Sequence, residues 1–280
     1  MKATDAHIHV QPWWELKPAV LDTMTRGRDD VDELQKIMKS PEHLLRRLDA
    51  DGIERAVLVN YPSPDLMGFS HRVNEYVAEY CRAAPERLVP MGGVHPRFVE
   101  DAGAEVRRAA ELGVRALKIH PPHMAVEPNA YLHGLDALRA IYEEAQRLRL
   151  PVMIHTGTSI FPGARSRAGE AILVDDVAVD FPDLVIVLAH GGRPLWMEQA
   201  FFLVRRFPNV YLDVSSVPPK TIPKYFPRLA EIADKALYGS DWPAPGVRSM
   251  GRNLRDFLGL DLPEDAKRKI VEKNARKLFP

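Results

Sequence analysis

Short apolar runs recur along the whole chain, at Ala3–Val10, Ala56–Asn60, Leu88–Val94, Val114–His120, Pro151–His155, Leu184–His190, Asn209–Ser215 and Ala236–Asp241. Most are rich in Val, Ile and Leu and carry apolar side chains on both faces, the pattern of strands covered from both sides. Between them apolar residues recur every three or four positions, as on a helix packed by one face. Ser40-Pro41 starts such a segment, with Leu44, Leu45 and Leu48 as its stripe and Gly52 as its stop. Val73, Val77 and Tyr80 mark a second after Ser70, Ala102–Leu112 is a third ending at Gly113, and Leu135 to Leu148 is a fourth. Pro194–Phe207 is a fifth, stopped by Pro208. Pro263 opens the last, with Ile270, Val271 and Leu278 turned inward. Eight strands alternating with helices predict an α/β fold, a (β/α)8 TIM barrel. A doubly wound open sheet is the alternative, but the chain after the first strand reads Gln11-Pro12-Trp13-Trp14 and has no glycine-rich dinucleotide turn. The long gap between the first two strands, with a charged stretch at Arg26–Glu33, predicts an inserted loop and helix segment over the barrel mouth, as a lid or a substrate wall.

Composition narrows the function classes. The chain has 280 residues, 46% hydrophobic and 27% charged, an ordinary globular balance. A closed α/β barrel of about 250 residues is one domain, so residues 1–280 are expected to fold as one. Lys plus Arg and Asp plus Glu are 38 each, which gives no general attraction to nucleic acid or to an anionic membrane. Cys81 stands alone, so neither an intrachain disulfide nor a cysteine-based metal site can form. No apolar run approaches the ~20 residues that span a bilayer. The N-terminus lacks the basic-then-apolar pattern of a signal peptide. The expectation is a cytoplasmic protein whose partner is a small molecule, with no nucleic acid and no membrane.

Polar residues collect at the ends of the apolar runs. The first run ends in His7-Ile8-His9, the third is followed by His95, and the fourth carries Lys118 and His120. The fifth ends in His155, the sixth in His190-Gly191-Gly192 and the eighth in Asp241-Trp242-Pro243. Strand C-termini of such a barrel converge on one mouth, where its active sites lie. His7 and His9, one residue apart, point to the same side of a strand. Imidazoles aimed into a barrel are poor core residues but good ligands for a divalent metal, and a histidine from strand five and a carboxylate from strand eight would complete a site. A bound ion would lower the pKa of its water towards ~7, and a further neutral histidine could move the proton.

Taken together and in this order, Asp5-Ala6-His7-Ile8-His9, Ile154-His155-Thr156-Gly157, Leu188-Ala189-His190-Gly191-Gly192, Gly239-Ser240-Asp241-Trp242-Pro243 and the closing Asn274–Phe279 resemble the amidohydrolase superfamily. The resemblance is to its amidohydrolase-related branch, which includes aminocarboxymuconate semialdehyde decarboxylase, and it covers nearly the whole chain. It implies that His7, His9, His155 and Asp241 hold one divalent ion, zinc or alternatively manganese. It implies that His190 acts as acid or base beside the bound water and that Asp241 also receives that water's proton. A homodimer is implied as well. Binuclear relatives carry a carboxylated lysine on strand four that bridges two ions, the role this would give Lys118. An unmodified Lys118 would instead bind a substrate carboxylate or pair with an acid.

His120, Arg193 and Trp13 are the expected substrate-binding residues: a pocket-lining imidazole, a guanidinium clamp for an anion and an aromatic wall. Trp14 and Trp242 are further wall candidates, His123 lies in a loop without an assigned role, and Cys81 is expected to be a small buried hydrophobe. The compact chain favours a metal-dependent hydrolase of a lactone, amide or similar carbonyl compound. A non-oxidative decarboxylase of an aromatic or unsaturated carboxylic acid is the alternative, and a barrel that binds without catalysis is a remote one.

Overall fold

The computed structural model describes residues 1–280. Eight parallel strands follow one another around a barrel in chain order: β1 (Ala3–Ile8), β2 (Ile53–Val59), β3 (Leu88–Gly92), β4 (Ala116–Ile119), β5 (Val152–Gly157), β6 (Ile186–Arg193), β7 (Val210–Asp213) and β8 (Ala236–Leu237). Helices lie between them, so the predicted TIM barrel is the fold, and every expected apolar run carries one strand. Strand alternation produces two apolar layers. Leu58, Leu117, Ile154, Leu188 and Leu212 face outward onto the helices. Val57, Val89, Met91, Ala116, Met153, Val187 and Leu237 fill the lumen, and Ala275 and Leu278 of the final helix, with Phe279 just after it, close its floor.

The seam of the barrel lies between β1 and the residues that follow β8. Regular pairing of β8 stops after two residues, and the rest of that run is held to β1 by backbone bonds. Ala6 N–H donates to the Tyr238 carbonyl (2.9 Å), Asp241 N–H to that of His7 (2.8 Å) and His9 N–H to that of Trp242 (2.7 Å). Buried Asp5 strengthens the seam, its Oδ1 accepting from the backbone N–H of Ser240 (2.9 Å) and of His7 (3.1 Å). The closing helix was expected to run unbroken from Pro263. Instead a π-helical turn, Lys269–Lys273, separates the α-helical Glu264–Arg268 and Asn274–Leu278. At that turn the Ile270 carbonyl accepts from Tyr238 N–H (3.0 Å), so the irregularity ties the floor of the barrel to its seam. The helix expected from Pro194 begins at Met197, because β6 extends to Arg193.

The insertion after β1 forms the helices Pro18–Thr25 and Val31–Lys39, followed by Pro41–Asp51. Its charged stretch has a structural role. Arg28 makes paired bonds to both Asp30 carboxylate oxygens (2.8 Å each) and donates to the carbonyls of Pro243 and Val247 (3.3 Å each). The insertion is thereby fastened to the loop after β8, and its Gln11 and Met24 reach the mouth of the barrel. No helix is long and apolar enough to cross a membrane.

Gly239 sits where the seam is most crowded. A Cβ there would lie 2.8 Å from Asp213 Oδ1, 2.8 Å from His7 Cβ and 3.0 Å from Ser215 Cβ. Gly239→Ala is expected to cost about 1–3 kcal/mol of stability through this overpacking, read as a lower urea midpoint, with no change in helix content by circular dichroism.

Candidate metal centre and active site

The polar residues of the mouth continue the inward rows of the lumen. On β2 the row Val57, Val59 leads to Tyr61; on β4 Ala116 leads to Lys118 and His120; on β5 Met153 leads to His155. On β7 the row through Tyr211 reaches Asp213 and Ser215, and on β8 Leu237 leads through Gly239 to Asp241. Two residues need a departure from alternation. In β1, Asp5 pairs with Ala56 but Ile8 with Leu58, three steps against two, so a bulge lets His7 face inward directly after lumen-facing Ala6. In β6, Ala189 already faces the lumen, and His190 is turned to the site by a left-handed backbone (φ +64°). Asp241 (φ +67°) and Ser216 (φ +60°) share that conformation. Such backbone costs roughly 1–3 kcal/mol per non-glycine residue and gathers at functional sites.

His7, His190 and Asp241 form a group whose ligating atoms lie within 4.8 Å of one another, able to hold a metal ion. His9 joins it, its Nε2 lying 3.2 Å from Asp241 Oδ1, and His7 Nε2 lies 3.6 Å from the same oxygen. The other nitrogens of these rings are committed. His7 Nδ1 donates to Asp213 Oδ2 (2.6 Å), His9 Nδ1 to the Val59 carbonyl (2.9 Å) and His190 Nδ1 to the Ser215 carbonyl (3.1 Å). His7 and His190, kept neutral by burial, each therefore present an Nε2 lone pair to the centre. Burial, then Lys118, keeps the His7 pKa well below its ordinary value; burial, then His155 and His7, does the same to His190. Imidazole lone pairs facing a carboxylate oxygen repel it unless a cation lies between them. His7 Nε2, both nitrogens of His155 and Lys118 Nζ are buried without a hydrogen-bond partner, so the residues present fit a divalent ion. His155 stands beside this group, its ring centroid 4.7 Å from that of His190.

Above the group opens a pocket with about 100 Å³ of free space. Asp241 is its one carboxylate, while Lys118, Arg193 and five histidines line it. Lys118 is fully buried, and desolvation lowers its pKa to about 8. His120 lies between His155 (3.9 Å between centroids) and His123 (3.5 Å) in a stack of three imidazoles. Arg193 donates through Nη1 to the Ser216 carbonyl (3.2 Å), and its buried Nε has no partner. Trp13 is not brought to the pocket. It is packed in the core beneath the insertion, because the short helical turn Trp13–Glu15 directs it inward, away from the mouth. Trp14 is exposed and meets Tyr76 edge-on, and Trp242 is wholly buried; Tyr61 and Phe161 supply the aromatic wall instead.

Sequence reasoning passed over Asp213, Ser215, Tyr61, Ser159 and the placement of His123. Asp213 and Ser215 were legible, as an i, i+2 polar pair at the end of an apolar run. Asp213 Oδ2 accepts from His7 Nδ1 and from Ser215 Oγ (2.6 Å each), and its Oδ1 accepts from Ser215 N–H (2.9 Å). Burial raises its pKa to about 6. His123, expected in a loop, lies in the short helix Pro121–Met124 that follows β4, and Ser159 lies on the loop after β5; a single turn and a loop give no periodicity from which their direction could be read.

Two variants test this environment. Asp213→Asn keeps the shape but removes the charge that orients His7, and a roughly 10–100-fold loss of zinc affinity is expected by competition with a chelator. Lys118→Met replaces a buried ammonium. Between pH 8 and about 10.5 unfolded wild type holds the Lys118 proton and folded wild type does not, so wild-type stability rises with pH across that window. Metal-free Lys118→Met is expected to lack that rise and to be more stable at pH 7 by an amount on the order of 3 kcal/mol, measured by urea unfolding.

Comparison with known proteins places the chain. The family model described as Amidohydrolase matches residues 4–280. A search of curated proteins finds no match. Among solved structures, a TIM-barrel protein from Bordetella bronchiseptica is similar with a TM-score of 0.79 at 24% identity, over 99% of this chain and 98% of that one. A 5-carboxyvanillate decarboxylase from Novosphingobium aromaticivorans, with bound manganese and 3-methoxy-4-hydroxy-5-nitrobenzoic acid, is similar with a TM-score of 0.70 at 19% identity, over 99% and 95%. An amidohydrolase from Burkholderia multivorans with bound zinc is similar with a TM-score of 0.67 at 13% identity, over 100% and 99%. At these identities the structural likenesses speak for the barrel alone. The match over almost the whole length, together with the histidine and aspartate cluster at the barrel mouth, shows that the chain belongs to the amidohydrolase family.

Proposed function

We propose that the protein is a metal-dependent hydrolase of a small anionic carbonyl compound such as a lactone or amide. The observation that carries this reading is His190: a neutral imidazole locked by Nδ1 to the Ser215 carbonyl, with its free Nε2 in one group with His7 and Asp241. In this reading His7, His9, His155 and Asp241 hold one divalent ion, zinc or alternatively manganese. When bound, that ion supplies Lewis acidity to a carbonyl oxygen and to water. His190 Nε2 then accepts a proton from water as it attacks and returns it to the leaving group, while the Asp241 carboxylate can hold it in between. Ser215 and Asp213 keep both rings in the required tautomer. Lys118, Arg193 and His120 attract and orient the anionic part of the substrate, and Tyr61 and Phe161 take the wall position expected of Trp13.

A specific observation favours a second reading, non-oxidative decarboxylation. Lys118 Nζ and Arg193 Nε are unpaired donors in a pocket with a single carboxylate of its own, which suits a substrate that presents its carboxylate to the centre. The 5-carboxyvanillate decarboxylase likeness is in accord with it at the level of fold.

The zinc-loaded protein screened against lactones, amides and aromatic carboxylic acids decides between them: bond hydrolysis without release of carbon dioxide is expected, and carbon dioxide release without hydrolysis supports the lyase. His190→Ala is expected to keep its ion and lose about 10²–10⁴-fold in turnover, whereas His155→Ala is expected to lose ion and activity together. Loss of about half the metal in His190→Ala would instead indicate two ions bridged at a carboxylated Lys118.

A further inference from the structure

Tyr61, His123 and Ser159 form a hydrogen-bonded chain along the pocket wall, and the proposed reaction uses the Tyr61 ring as a wall but none of these hydrogen bonds. The Tyr61 hydroxyl lies 2.8 Å from His123 Nδ1, and His123 Nε2 lies 2.8 Å from Ser159 Oγ. The ring between them is held on every side. His120 stacks on its face with centroids 3.5 Å apart, Phe161 meets it edge-on at 5.3 Å, and Ser63 Oγ donates to its backbone carbonyl at 3.1 Å. Burial keeps the ring neutral, with its pKa down at about 3, so one nitrogen carries a proton and the other a lone pair.

Counting donors and acceptors fixes which nitrogen carries it. Tyr61 is buried, and its hydroxyl finds its hydrogen-bond partner in His123 Nδ1. A proton on Nδ1 would leave the Tyr61 O–H without an acceptor in the interior, so Tyr61 donates to Nδ1 and the proton sits on Nε2. Ser159 Oγ then accepts twice, from His123 Nε2–H and from the Phe161 backbone N–H at 3.3 Å. Both lone pairs are used, and the one capacity left to this hydroxyl is its own proton, offered to the pocket it lines.

We propose that Ser159 is a dedicated hydrogen-bond donor to the ligand, a second anchoring point on the β5 loop that selects molecules with a further carboxylate or carbonyl oxygen besides the group held at Lys118 and the metal cluster. Tyr61 and His123 are positioning residues that fix the direction of its proton. The inference deepens the proposed function by making the substrate a compound with two acceptor ends, and it rests on the pocket being an anion site but requires no turnover.

Succinate and butyrate test it, because they share chain length and differ in one terminal carboxylate. Calorimetric titration of the zinc-loaded wild type is expected to show succinate bound roughly tenfold or more tightly than butyrate. Ser159→Ala is expected to lose most of that preference while butyrate affinity and zinc content stay unchanged, and Ser159→Thr to keep it. A purely structural role would lower both affinities alike. No preference in the wild type, or an intact preference in Ser159→Ala, overturns the proposal. Zinc measured in the same samples separates the two readings: a Ser159-dependent preference in protein that takes up no zinc removes the metal reading and sustains this one.

Discussion

The constraint on which the site depends is the burial of several imidazoles around one carboxylate at the mouth of the barrel. Burial holds His7, His155 and His190 neutral, and hydrogen bonds from Nδ1 of His7 and His190 leave their Nε2 lone pairs aimed at the centre. A cluster of lone pairs facing Asp241 is repulsive by itself and stabilising around a cation, so the same charge arrangement that costs folding energy creates affinity for an ion. The outer shell is part of this device. Without Asp213 and Ser215 the rings of His7 and His190 would be free to turn or to exchange tautomers, and their lone pairs would not converge.

The barrel seam lies at the same place. β1 and the residues after β8 are joined by backbone bonds of His7, His9 and Asp241 themselves, so side chains of the candidate metal centre hang from the bonds that close the cylinder. Disorder in the seam would displace the site directly. Gly239 is there because His7, Asp213 and Ser215 occupy the space a side chain would need. The left-handed backbones of His190 and Asp241 are a further local cost, offset by the packing and hydrogen bonds around them.

The rest of the pocket has a consistent electrostatic character. Lys118 Nζ and Arg193 Nε are buried donors without protein acceptors, and Asp241, at the candidate metal centre, is the one acid of the pocket. Such a surface favours anionic, oxygen-rich small molecules over neutral ones. The insertion after β1 shapes the entrance through Gln11 and Met24, and its tie through Arg28 to the loop after β8 couples the entrance to the strand end that carries Asp241.

The sequence by itself determined the barrel and most of the candidate centre. Period-two rows of apolar residues that end in a polar one are readable without a structure, and they lead to Lys118, His120, His155 and Asp241, because a strand enforces its alternation locally. The same rows would have yielded Asp213 and Ser215. What only the tertiary structure decided are the positions where local rules are broken or do not apply. The bulge that lets His7 follow Ala6 inward and the left-handed turn that redirects His190 arise from pairing with neighbouring strands, which leaves no mark in single-strand periodicity. Trp13 was drawn into the core under the insertion, and His123 was brought from a single helical turn after β4 into the imidazole stack, by packing against residues distant in the chain. Loop side chains have no period to read, so their direction is set by the surfaces they meet after the chain has folded.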